Sequence, residues 1–125
     1  MQYMVVDLGP AVEHLRAGTI RALAVTTAQR IDLLPGVPTL QEAGLPGFDF
    51  ASWNAIWMPA GTPAAVVARL NREVVAIGGS DEAKRFMAAM GIASTTSTPA
   101  ALGAFNAAEL ARWAGIAAEA GMARE

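Results

Sequence analysis

The sequence contains no cysteine among its 125 residues. That excludes disulfides and thiolate metal sites, but it leaves the compartment open, because many exported proteins also lack cysteine. Charge is scarce too. Asp, Glu, Lys and Arg make up 16% of the chain, against about a quarter in a typical soluble domain. The 9 basic and 11 acidic residues leave a formal charge of −2. No basic run occurs, and the aromatics are not interleaved with Lys and Arg, so nucleic-acid binding has no electrostatic footprint. No apolar stretch is long enough to cross a bilayer. The start, Met1-Gln2-Tyr3-Met4-Val5-Val6-Asp7, lacks the basic and long apolar regions of a signal peptide. Taken as a complete gene product, the chain reads as cytoplasmic.

Catalytic and metal-binding patterns are also missing. His14 is the single histidine. Glu13 beside it points elsewhere on a helix, and no second histidine or ligand cluster supports a metal site with Asp7. Neither Ser52 nor Ser80 sits in a Gly-x-Ser-x-Gly turn. The scattered glycines form neither a phosphate loop nor a dinucleotide fingerprint. Glu42 and Asp49 read as solvated turn acids rather than an acid pair. The expectation is a protein that is not an enzyme and carries no cofactor.

What is present is apolar residues, at 54% of the chain. A small domain this apolar buries the excess in a tight core, a partner or a missing domain. A strand is predicted over 3–8, followed by a helix from Pro10 to Ala17 that exits at Gly18. Ile20 to Thr26 reads as a strand covered on both faces. In the Pro- and Gly-rich run 33–50, Thr39 and Glu42 have capping-box spacing around a very short helix, and Gly44 ends it. A further strand is expected over Phe50–Met58, with Trp53 and Trp57 on one face as packing residues. Thr62 and Pro63 are expected to open a helix with a stripe of Val66, Val67, Leu70, Val74 and Ile77. Ser80 caps the next helix, which Gly91 stops. Residues 92–95 read as a short edge strand, and Thr98-Pro99 opens a last helix that ends near Gly121. The order of elements is α/β.

Thr26, Thr27, Ser52 and Asn54 are the ligand-binding candidates. They place neutral hydrogen-bonding groups at strand ends, as carboxylate recognition in a cleft requires, and ordinary turn capping is the competing reading. Asp7, at the end of the first strand, joins them.

A series of motifs then occurs in order: Val6-Asp7-Leu8, Leu15-Arg16-Ala17-Gly18, Arg21-Ala22-Leu23-Ala24-Val25-Thr26 and Leu34-Pro35-Gly36-Val37-Pro38-Thr39. Glu42-Ala43-Gly44-Leu45-Pro46-Gly47-Phe48, Trp53, Pro59-Ala60-Gly61-Thr62-Pro63 and Leu70-Asn71-Arg72-Glu73 follow. The series resembles the substrate-binding proteins of the tripartite tricarboxylate transporters, the Bug or TctC family, over nearly the whole chain. The resemblance implies a partial type II periplasmic-binding-protein fold: residues 1–52 as part of the second lobe, and 53–125 as a crossover strand and return helices. It also implies capture of organic carboxylates without covalent chemistry, delivery to membrane permease subunits, and a periplasmic location. Relatives are about twice this length. The loop after Asp7-Leu8 is shorter here than is usual in the family. A second expectation is therefore a truncated relative acting as an interaction module. The apolar faces of Val66–Ile77 and of the last helix would make it a homodimer.

Overall fold

The computed structural model describes residues 3–122. Four helices are present among them: α1 (Leu8–Arg16), α2 (Ala64–Gly79), α3 (Asp81–Ala89) and α4 (Pro99–Glu119). They divide between two compact units. Met1–Trp57 with Ser80–Ser94 forms one, and Met58–Gly79 with Thr95–Glu125 forms the other. Residues 53–57 and α3 thus group with the amino-terminal part of the chain.

Local signals account for the helix ends. Ser80 Oγ accepts from the Ala83 amide at 3.2 Å, and Thr98 Oγ1 accepts from Ala101 at 3.1 Å, so both predicted caps satisfy an otherwise orphan N–H. Helices α1, α3 and α4 close on paired bonds of the Schellman type. In α3 these run from Gly91 N to Ala88 O and from Ile92 N to Met87 O, each 3.0 Å. Gly91 takes φ +73 there, and a Cβ on it would lie 2.7 Å from Leu8 Cγ. The start of α2 differs from expectation. The Thr62 hydroxyl donates back to Pro59 O at 2.7 Å, so Pro63 supplies the first acceptor, to Val66 N at 2.9 Å.

The predicted strands are the main departure. Among the described residues the one β-bridge is parallel, between Val25 and Thr39. A strand exists through its ladder partner rather than its own sequence, and the segments 3–6, 20–24, 50–58 and 92–95 join no β-ladder among the described residues. Residue 8 instead begins α1, and the Ile92 amide is committed to closing α3. Tyr3, Met4 and Val5 are consequently bare, at 86%, 72% and 84% exposure. Trp53 and Trp57, expected to pack, are also exposed.

Among the described residues, those buried are Ala11, Val12, Val25 and Thr39. All four belong to the first unit, where α1 and the Val25–Thr39 bridge form its centre. None of the residues of α2, α3 or α4 is buried.

Candidate functional site

The site begins with the turn that follows Val25. Val25 is fixed on both sides: its amide donates to Pro38 O, and its carbonyl accepts from Leu40 N, each at 2.9 Å. The next residue, Thr26, accepts from Phe50 N at 2.9 Å through its carbonyl. Two residues on, the Ala28 amide donates to Asp49 Oδ1 at 2.9 Å. The consecutive residues Asp49 and Phe50 thus hold the 26–29 turn at its amide and its carbonyl.

The other wall of the turn is the capping box. Glu42 N donates to Thr39 Oγ1 at 3.1 Å, and Thr39 N donates to Glu42 Oε2 at 2.8 Å. Thr39 is 2% exposed, so each partner satisfies a group that would be costly to leave unpaired. Arg30 Nε donates to both Glu42 oxygens, at 3.1 and 2.9 Å, and Arg30 Nη1 donates to Pro35 O at 3.1 Å. The Arg30 guanidinium, followed by the Thr39 amide, holds the Glu42 carboxyl below its ordinary pKa.

The five sequence candidates fall into two groups by what their polar atoms already do. Ser52 Oγ donates to Asp7 Oδ1 at 2.7 Å, joining residues 45 apart in the chain. The Thr27 hydroxyl donates to Gln29 O at 2.7 Å. Both hydroxyl protons are therefore committed inside the protein, which leaves Ser52 and Thr27 as acceptors toward any ligand. Among the described residues, Thr26 Oγ1 and the Asn54 side-chain amide have no hydrogen-bond partner. Their donors are uncommitted within the protein. Thr26 is half-buried and Asn54 exposed.

Sequence reasoning missed Asp49 and Arg30. Asp49 reads from the sequence as a solvated turn acid and Arg30 carries no signal, because their partners are 21 and 12 residues away and no local pattern marks them. Glu42 was legible through its spacing from Thr39.

A separate concavity of about 190 Å³ is lined by Leu8, Val12, Leu15, Arg16, Leu33 and Leu34. None of the five candidates lines it, and its Arg16 guanidinium is paired with Glu13 at 2.7 Å. Among the described residues no group of three or more His, Asp or Glu side chains is arranged to hold a metal ion. His14 Nδ1 lies 3.3 Å from Thr19 Oγ1 at the end of α1.

The tripartite tricarboxylate transporter family receptor profile matches residues 1–122. This chain belongs to that family. It is 38% identical over 113 residues to protein BugT of Bordetella pertussis, an alignment covering 90% of this chain and 35% of BugT. A UPF0065 protein of Agrobacterium vitis is 38% identical over 111 residues, which cover 86% of this chain and 32% of the relative. The chain therefore spans about a third of the length of these relatives, less than the half expected from the sequence. Among solved structures, R. palustris Rpa4515 with adipate superposes with a TM-score of 0.84 at 40% identity, covering 91% of this chain and 38% of that one. The fold is thus part of a type II periplasmic-binding-protein architecture, and the α/β class holds even though the chain carries few strand pairings of its own. No helix of the described residues is long and apolar enough to cross a membrane.

Proposed function

We propose that this chain is the carboxylate-contacting part of an extracytoplasmic solute-binding component of a tripartite tricarboxylate transport system. Its support is the close likeness, at 40% identity, to a structure that carries adipate. In this reading residues 1–52 supply part of the second lobe, and 53–125 supply the crossover segment and return helices. The protein works in the periplasm and presents its ligand to membrane permease subunits. The action is binding without a covalent step, so no residue is assigned a catalytic role.

The donor inventory gives the chemistry. A carboxylate accepts from the Thr26 hydroxyl and the Asn54 amide, both neutral donors. Neutral donors suit a site that must release its cargo, because they hold an anion less tightly than an Arg fork does. Ser52, Thr27 and the Asp7 carboxylate offer only acceptors. They suit a ligand hydroxyl or a bridging water, which carries its own donors. Asp7 repels a ligand carboxylate placed directly against it, so the carboxylate sits on the Thr26 and Asn54 side.

Native mass spectrometry of the full chain with a panel of di- and tricarboxylates, adipate included, tests this reading. A specific organic-acid adduct, displaced by one member of the panel and weakened by Thr26→Val or Asn54→Leu, is the expected result. A bare chain throughout removes carboxylate capture from this polypeptide.

A second reading rests on the exposed apolar side chains of the second unit. Val66, Leu70, Val75 and Ile77 on α2, and Phe105, Leu110 and Trp113 on α4, all face solvent. Partly exposed apolar side chains in this number suit a self-associating module that holds no small ligand. Sedimentation at high concentration separates the two readings, since a module of this kind forms a dimer whether or not a carboxylate is present.

A further inference from the structure

We propose that Asp49 is a positioning residue, which fixes the 26–29 turn so that the Thr26 hydroxyl is presented to the ligand. The proposal rests on the carboxylate-binding reading and adds a residue that does not itself touch the ligand.

The geometry carries it. Thr26 sits between two fastenings. On one side Val25 is locked by the Pro38 and Leu40 bonds. On the other, Ala28 has its amide on Asp49 Oδ1 at 2.9 Å. Between them the Thr26 carbonyl is held by Phe50 N at 2.9 Å, and Thr27 folds its hydroxyl onto Gln29 O. The Phe50–Thr26 bond has the character of a strand pairing, and at the next place along the Asp49 side chain supplies the acceptor that a neighbouring strand's carbonyl would otherwise provide. A carboxylate accepting from a backbone amide is stronger than a neutral acceptor. It can also hold an exposed turn against competition from water, which an unassisted exposed bond does poorly. Arg30, which follows the turn, is anchored independently by Glu42 and Pro35. Removing Asp49 therefore releases the middle of the turn while both ends stay in place. The backbone of Thr26 stays held by Phe50, so the consequence falls on the rotamer of its side chain, which adjoins the released residues and whose donor is uncommitted.

The test uses the full chain and two readouts. Backbone amide exchange by NMR reports the turn directly. Asp49→Ala is expected to speed Ala28 exchange about tenfold while α4 amides keep their wild-type rates, and Asp49→Asn, which retains a side-chain acceptor, recovers most of the protection. Calorimetric titration with adipate as the probe reports the site. Asp49→Ala is expected to weaken binding about tenfold, with Asn intermediate, and to weaken it little further once Thr26→Val is already in place, because the two residues act through one contact. Unchanged Ala28 exchange in Asp49→Ala overturns the proposal whatever the binding data show. Faster exchange with unaltered adipate affinity overturns it as well. A wild-type chain that binds no carboxylate sinks the reading beneath it, and the exchange measurement still decides whether Asp49 shapes the turn.

Discussion

The two compact units of this chain are held together by different kinds of interaction. In the first, bonds span long stretches of sequence: Ser52 to Asp7 across 45 residues, Ala28 to Asp49 across 21, Arg30 to Glu42 across 12. This unit also contains every buried residue the structure describes. The second unit is built from α2 and α4, whose ends are set by neighbours in sequence and whose side chains all stay at least partly exposed. One tie between its pieces is Asn71 Nδ2 donating to Ser97 O at 2.9 Å. The first unit thus depends on tertiary contacts, and the second on helix signals plus whatever covers its apolar faces. Substitutions should separate the two accordingly.

The largest effect is expected at Gly91. Its left-handed φ of +73 disfavours any side chain, and Leu8 Cβ lies 3.2 Å from where a Cβ would be placed. The Leu8 branch can swing aside, but its Cβ cannot move without shifting the first turn of α1. Gly91→Ala should cost about 3 kcal/mol in urea unfolding. Gly36→Ala is the matching control, because nothing lies within 4 Å of that added methyl and φ is not left-handed there. It should stay within about 0.5 kcal/mol of wild type. Equal losses at the two positions would remove the claim that α3 is seated on Leu8.

Thr39 ranks next. Thr39→Val keeps the shape but deletes the hydroxyl that caps Glu42 N, leaving a part-buried amide unpaired, at about 1–2 kcal/mol. The same network carries a pH signature. The folded-state pKa of Glu42 is lowered, first by Arg30 and then by the Thr39 amide. Its stabilisation is therefore fully present above the ordinary glutamate pKa of about 4.3 and is lost as pH falls through the lowered folded value. Glu42→Gln should flatten that acid limb of the stability curve while leaving the neutral and alkaline range parallel to wild type. In the second unit, Thr98→Ala tests a purely local contact. It should cost about 1 kcal/mol and fray α4 without disturbing amide exchange around Val25.

This division also explains what could be read from the sequence. The caps at Ser80 and Thr98, the glycines closing α1, α3 and α4, and the Thr39–Glu42 box all lie within a few residues of their partners, so spacing alone revealed them. The order of motifs from Val6 to Glu73 carried the family. The strands failed as local predictions, because Val25 has Thr39 beside it while the other apolar runs form no β-ladder among the described residues. The candidate site was half legible. Residue type selected Thr26, Thr27, Ser52 and Asn54, but only the fold shows that Ser52 and Thr27 have spent their protons and that Thr26 and Asn54 have not. Asp49 was invisible for the same reason, since a turn acid is bland until its distant amide is known.

The smallest expected effect on stability carries the sharpest test of what covers the second unit. Leu110 is 64% exposed and Trp113 50% exposed on α4, so each has already given up much of what burial could contribute. Leu110→Gln should change the unfolding free energy by no more than about 0.5 kcal/mol. Its effect on association is the informative one. In a self-associating module the wild-type chain sediments as a dimer and Leu110→Gln shifts it to monomer, with Trp113→Gln adding to the shift because it lies one helical turn along on the same side. A wild-type chain that remains monomeric at high concentration ends that reading. The apolar face of α4 would then need some other cover, and about two thirds of the length of the larger relatives lies outside the region that this chain spans.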